Sequence, residues 1–171
     1  MLEGKNVNLR AMRKEDVSFF SEALKWKLRG ADAERQFDNP TPLAILTKRT
    51  RFVIEKKDET RIGLITHYLV LPSKRMEIGY NLIPSERGKG YGSEAVQIIV
   101  DHLFLTKDIV RIQAVTNVEN VSSKRVLEKA GFVREGTLRG AGHTGQERGD
   151  AYIYSILRKE WKEPKILTQT S

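Results

Sequence analysis

Met76-Glu77-Ile78-Gly79-Tyr80-Asn81-Leu82-Ile83-Pro84-Ser85-Glu86-Arg87-Gly88-Lys89-Gly90-Tyr91-Gly92-Ser93 carries more of the fold than any other stretch of this chain. Residues Met76 to Ile83 alternate as a strand does, and Pro84 with the polar Ser85-Glu86 closes the run. Past the glycines, Ala95, Val96, Ile99 and Leu103 recur at helical spacing, with Glu94, Gln97 and Asp101 on the other side. A strand therefore feeds a glycine-rich turn that opens a helix. Glycine lets the backbone approach a ligand closely, and the first-turn N–H groups of a helix have no partner inside it. With Arg87 and Lys89 adding positive charge, the guest such a turn suits is a phosphate or pyrophosphate.

Spacing excludes two common phosphate loops. A Walker loop needs Gly, four residues, then Gly-Lys-Ser/Thr, and that order is missing. The dinucleotide fingerprint needs Gly-x-Gly-x-x-Gly, whereas Gly88, Gly90 and Gly92 fall at every second position. Taken alone, Arg87 to Gly92 also fit a plain strand-to-helix turn with a solvated pair of charges.

A second motif bears on that choice. Asn120-Val121-Ser122-Ser123-Lys124-Arg125-Val126-Leu127-Glu128-Lys129-Ala130-Gly131-Phe132 reads as a short helix with a hard stop. Asn120 or Ser122 can cap it, Val126, Leu127 and Ala130 form an apolar side, and Gly131 suits a left-handed exit. In this order the two motifs resemble the GNAT superfamily of acetyl-CoA-dependent N-acetyltransferases. Arg87-x-x-Gly90-x-Gly92 is similar to its pyrophosphate loop, and Asn120 to Phe132 to its second cofactor helix. The opening Leu2 to Arg10, Glu15-Asp16, Glu77-Ile78-Gly79-Tyr80, Asp150, Tyr154 to Leu157 and Glu160-Trp161 resemble the RimJ/RimL-type branch, which acetylates protein N-termini and sometimes small amines. The likeness spans the chain except residues 28–48 and the last ten or so.

The resemblance implies a set of roles. Leu82 and Ile83 would end the strand that pairs with the pantetheine arm. The pyrophosphate would sit on Arg87, Gly88, Lys89, Gly90, Tyr91, Gly92 and Ser93, with Asn120 and Ser123 near the pantetheine and sulfur. Many family members place an acidic tyrosine where this chain has Leu127, which cannot donate a proton. The branch's alternative donor would be Ser123, whose other reading is a helix cap; Tyr154 and Tyr80 are further choices. For the base, Glu77 points to the face opposite Met76 and Ile78, where it meets either an amine or a lysine. His143 stands near a glutamate proposed as base in RimL-type enzymes, although the aligned residue here is Gly142. His67, in a strand, and His102, in a helix, are expected to pack or face water, and three scattered histidines give no metal signature.

Composition bounds the rest. The 171 residues make one domain, expected as 1–163 with a frayed tail from Pro164 to Ser171. There is no cysteine, hence no disulfide, thiolate metal site or cysteine nucleophile. No signal pattern or long apolar run is visible, which gives a cytoplasmic protein without membrane contact as the expectation. The net charge of +8 is spread along the chain without interleaved aromatics, so direct nucleic-acid binding is not expected.

Strands are predicted at Asn6 to Met12, Arg51 to Lys56, Arg61 to Leu71, Arg75 to Ile83, Val110 to Thr116, Phe132 to Arg139 and Asp150 to Leu157. Helices are predicted at Glu15 to Leu28, Gly90 to Leu105 and Ser122 to Ala130, with a loop holding one helical turn expected over 29–48. This is an α+β domain: a twisted, mixed, mostly antiparallel sheet of six to seven strands flanked by about four helices. The expected partners are acetyl-CoA and an amine acceptor, foremost a protein N-terminus, with a homodimer permitted. Asp32, Glu34, Asp38, Glu147 and Asp150 are placed to surround a cationic amine. The alternatives are a small-amine acetyltransferase acting on a polyamine or aminoglycoside, or a non-catalytic module that binds acyl-CoA or a ribosomal partner.

Overall fold

Alternation and helical spacing become one twisted sheet with helices on both faces. The computed structural model describes residues 1–23, 49–70, 72–144 and 147–166. In chain order the elements are β1 (Leu2–Glu3), β2 (Val7–Ala11), α1 (Asp16–Ala23), β3 (Thr50–Lys56), β4 (Arg61–Val70), β5 (Arg75–Leu82) and a 3₁₀ turn (Pro84–Glu86). Then follow α2 (Tyr91–Thr106), β6 (Arg111–Asn117), α3 (Val121–Lys129), β7 (Val133–Thr144) and β8 (Glu147–Leu157). The sheet runs β1-β2-β3-β4-β5-β6-β8-β7, and its neighbours are antiparallel except β5 and β6. That parallel pair is what a helical crossover, here α2, produces.

Among the described residues there are eight strands, the extra one being the two-residue β1, which pairs with β2. Three α-helices are described. The turn expected within 29–48, and the end of the first helix beyond Ala23, lie outside the described residues.

The main core lies between the sheet and α2. Ile54, Ile65, Ile78 and Ile112 point into it from four strands and meet Ala95, Val96, Ile99 and Leu103. α2 is buried more widely than its apolar stripe predicts, because its polar side is also covered. Asp101, only 1% exposed, accepts hydrogen bonds from Trp161 Nε1 (2.9 Å) and the N–H groups of Lys165 (2.9 Å) and Ile166 (2.8 Å). Glu94 accepts from Asn6 N (2.7 Å), Asn6 Nδ2 (2.7 Å) and Val7 N (3.2 Å), tying the start of β2 to the first turn of α2. Neither carboxylate is the solvated face residue that periodicity suggests. Gly4 belongs to this junction: a Cβ there would fall 2.5 Å from Glu94 Oε1.

On the other face, Phe20 of α1 packs on Val53 and Leu64. The helix start is fixed by Asp16, which accepts Arg10 Nη1 (2.7 Å), Arg10 Nη2 (2.9 Å) and the Arg13 N–H (2.8 Å). Burial pushes that carboxyl up, and these bonds overcome it, leaving it at about 2.

The largest local departure is the glycine-bearing stretch 140–149, between the last two predicted strands. It is not a loop; β7 runs on to Thr144 and β8 begins at Glu147. Register shifts at Arg134/Gly136 and Leu138/Gly142 mark bulges. Gly140 takes φ 66°, and a Cβ at Gly142 would lie 2.5 Å from Asp150 O. The glycines that suggest a loop are there to bend a hairpin.

Candidate active site

The parallel pairing of β5 and β6 covers only Arg75–Arg111, Met76–Ile112 and Glu77–Gln113. Beyond it each strand follows a different partner, β5 staying with β4 to Leu82 and β6 with β8 to Asn117, so the two diverge. The Ile83 N–H bonds Ile62 O at 2.9 Å. Alternation from that bond turns the main-chain groups of Asn81, Gly79 and Glu77 toward β4, and those of Leu82, Tyr80 and Ile78 toward the opening. A cleft of about 470 Å³ runs from Tyr80 and Leu82 across the glycine loop to α3. A second space of about 240 Å³ lies in the gap itself, between Ile78–Tyr80 and Ala114–Asn117, and shares Tyr80, Asn120 and Ser123 with the first.

The loop is built by two left-handed residues, Gly88 (φ 76°) and Gly90 (φ 88°), the latter the N-cap of α2. A Cβ on either would meet nothing within 4 Å, so backbone conformation rather than crowding calls for glycine there. Gly92 differs. It is helical, and a Cβ would make ordinary 3.6 Å contacts with Leu82 Cδ1 and Val126 Cγ2. The bond from Glu94 N–H to Gly90 O (3.2 Å) opens the helix, leaving the Tyr91, Gly92 and Ser93 N–H groups without a helical partner.

Of the loop positions singled out in the sequence, Arg87, Gly88, Gly90, Gly92 and Ser93 line the cleft with Leu82, whereas Ile83, Lys89 and Tyr91 do not. Lys89 pairs with Glu86 at 3.2 Å. Arg87 donates through Nε to Leu82 O (3.0 Å) and through Nη2 to Asn81 Oδ1 (3.3 Å), so its guanidinium closes the end of β5. Two cations missed at the sequence level, Arg125 and Lys129, complete the cleft wall. They are four apart on α3, a spacing that puts them on one side of a helix.

At the inner end, Asn120 Oδ1 caps α3 by accepting the Ser123 N–H at 3.0 Å. Ser123 Oγ lies 2.9 Å from Tyr80 OH, which also donates to Ser123 O at 3.2 Å. Burial pushes the Tyr80 phenol up to about 12, so it is held protonated. Leu127 is a fully buried core residue. Tyr154 is buried too, donates to Glu128 Oε1 at 3.0 Å, and lines neither space.

Glu77 sits across the sheet from the cleft, on the face of α1, because it pairs with Tyr68 in the register that puts Leu64 under Phe20. Tyr68 OH donates to one carboxylate oxygen (2.5 Å) and Gln113 Nε2 to the other (2.8 Å). Gln113 is oriented by Arg111 Nε, which donates to its Oε1 at 3.1 Å, and Arg111 is itself held by Glu135. Glu77 thus marks the point where the gap closes. His143 lies on β7 opposite Arg148 near the tip of the hairpin. Asp150 accepts the Gly140 N–H at 2.9 Å, while Asp32, Glu34 and Asp38 lie outside the described residues. Among the described residues no helix is long and apolar enough to cross a membrane.

Comparison with known proteins agrees with this geometry. Residues 6–133 match the model of the acetyltransferase (GNAT) domain. The uncharacterized N-acetyltransferase YnaD of Bacillus subtilis (strain 168) is 38% identical over 109 residues, which make up 64% of each chain. The ribosomal-protein-serine acetyltransferase of Escherichia coli (strain K12) is 33% identical over 107 residues, 62% of this chain and 59% of that one. The crystal structure of spermidine N-acetyltransferase from Vibrio cholerae in complex with CoA and spermine superposes with a TM-score of 0.74 at 21% identity, covering 91% of this chain and 98% of that one. The chain belongs to the GNAT acetyltransferase family, whose acetyl donor is acetyl-CoA. The residues present fit that group: unpaired helix N–H groups and three cations suit a pyrophosphate, and the free edge of β5 suits an amide-bearing arm.

Proposed function

We propose that this chain moves the acetyl group of acetyl-CoA directly onto a primary amine, and that the acceptor is a protein N-terminal α-amine. The observation that carries the reading is the divergence of β5 from β6, which leaves a strand edge leading from the glycine loop to the Tyr80–Ser123 hydroxyl pair. Acetyl-CoA supplies a thioester carbonyl; the amine nitrogen bonds to it as the carbon–sulfur bond breaks. The loop N–H groups with Arg87, Arg125 and Lys129 hold the anionic end. The edge of Leu82 and Tyr80 aligns the arm, and proximity supplies much of the rate. Ser123, with Tyr80 behind it, returns a proton to sulfur. Glu77 accepts the proton that the amine loses, through a water on the lone pairs left by Tyr68 and Gln113.

Support for a protein acceptor comes from likeness to the ribosomal-protein-serine acetyltransferase. A homodimer belongs to the same reading, supported by β7, a twelve-residue edge strand on which Val133 is 58% exposed. The test is coenzyme A release with serine- and alanine-initiated peptides, spermidine and an aminoglycoside. Turnover is expected on the peptides, and Glu77→Gln should lower kcat by about 10²–10⁴-fold and alter the pH profile. Efficient acetylation of spermidine with none of any peptide would transfer the assignment to small amines. A change in pH profile in His143→Ala but not in Glu77→Gln would move the base to His143.

A further inference from the structure

We infer that Gly79 admits the acceptor: the arm bearing the amine crosses β5 over the missing side chain at this position. The inference rests on the acetyl-transfer reading above. A glycine inside a strand is a cost, since it orders more backbone entropy than any other residue and packs nothing. At seven of the described glycines the fold explains the cost. Gly88, Gly90, Gly131 and Gly140 have positive φ. At Gly63 a Cβ would fall 2.4 Å from Asn81 O, and Gly4 and Gly142 are equally crowded. Gly79, like Gly92 and Gly136, has neither excuse. Its φ is not in the left-handed region, and a Cβ would meet only Thr66 Oγ1, at 3.4 Å.

What distinguishes Gly79 is its place. It is exposed, it lines the gap beside Tyr80, and it faces the same side of the sheet as Glu77, two residues away and about 7 Å along the strand. That side is the one opposite the cleft that suits acetyl-CoA. A side chain at position 79 would stand over the mouth of the gap between the acceptor and the Tyr80–Ser123 pair, without reaching the glycine loop. The chemistry this corridor accepts is an extended arm ending in a primary amine, received by the Glu77 carboxylate, which Tyr68 and Gln113 hold on the same side of the sheet. Width at Gly79 then sets how much substituent the carbon next to the amine can carry.

The experiment compares wild type, Gly79→Ala and Gly79→Val, with n-butylamine, a serine-initiated peptide and spermidine as acceptors. Thermal melts and CoA titration accompany the kinetics. We expect melting temperatures unchanged or higher, CoA affinity unchanged, and KM for the peptide raised by about tenfold or more in Gly79→Val. The rise should be smaller in Gly79→Ala and smallest for butylamine. Equal kinetic constants in wild type and Gly79→Val would overturn the inference while leaving acetyl transfer standing. So would a parallel loss of CoA affinity, which would make Gly79 a cofactor contact. Should Gly79→Val fail to fold, Gly79→Ala decides by the same criteria. No turnover by wild type with any acceptor would sink the acetyl-transfer reading and this inference together.

Discussion

Gly90 and Gly92 look interchangeable in the sequence, and substituting alanine at each should separate them. Gly90 holds φ 88° at the N-cap of α2, with nothing near the site of a Cβ. The cost of Gly90→Ala is therefore conformational, on the order of 1–2 kcal/mol for a left-handed non-glycine residue. For a chain of this size that corresponds to roughly 2–8 °C of melting temperature. If the residue relaxes instead, the Tyr91, Gly92 and Ser93 N–H groups swing away from the cleft and anion affinity falls. Gly92→Ala goes the other way. Its Cβ makes ordinary contacts at 3.6 Å, and replacing helical glycine by alanine stabilises by roughly 0.5–1 kcal/mol. Calorimetric titration with CoA and parallel melts would read both effects. Gly90→Ala should melt lower and bind CoA more weakly, and Gly92→Ala should melt at or above wild type and bind as well. Full CoA affinity in Gly90→Ala with loss in Gly92→Ala would refute the reasoning, because the loop would then work by room at Gly92.

Two further outcomes follow from single contacts. Ser123→Ala and Tyr80→Phe each break the 2.9 Å hydroxyl pair; kcat should fall in both, by about 10²–10⁴-fold in whichever removes the donor, with CoA affinity little changed. Unchanged kcat in both variants would place the donor elsewhere. His67 is 5% exposed, stacks on Phe52, and its Nδ1 has no hydrogen-bond partner among the described residues; burial, with His102 and Lys107 nearby, lowers its pKa to about 4. The unfolded chain then binds the extra proton first. Stability from this residue is full above about pH 6.5 and is lost as pH falls toward 4, by roughly 3 kcal/mol in all. Urea melts at pH 7 and pH 5 should show the loss in wild type and much less in His67→Phe, and equal slopes for the two proteins would count against it.

Legibility in the sequence followed range. Strand-turn-helix around Gly88 to Ser93 and the capped helix after Asn120 are local, and their bounds came out within a residue or two of the pattern. Glu94 and Asp101 fall on the side of the helix opposite its apolar stripe, and their partners, Asn6 and Trp161, are remote in the chain, where periodicity cannot see them. The extension of β7 past Arg139 and of β8 before Asp150 was hidden for another reason: the left-handed backbone at Gly140 and the close approach at Gly142 call for glycine, and glycine reads as loop. At the site, residue types were readable but directions were not. That Glu77 is pinned by Tyr68 and Gln113 depends on register across strands, and that Arg87 turns back onto Leu82 while Lys89 pairs with Glu86 depends on how the loop itself bends.

The three-pair junction of β5 with β6 has a mechanical meaning. Among the described residues, main-chain hydrogen bonding divides the sheet into two plates, β1 to β5 and β6 with β8 and β7, sewn together by the pairing of Arg75–Glu77 with Arg111–Gln113 and by the Val110 N–H bond to Lys74 O (2.9 Å) just before it. The side chains of α2 span the seam; the backbone beyond Glu77 does not. An arm that bonds along Tyr80 and Leu82 would act as a rivet, adding stitches where the plates part. Pulled along its strands, the molecule should tear at this seam first, and amide hydrogens at Ile78, Tyr80 and Leu82 should exchange ahead of their neighbours until the rivet is in place.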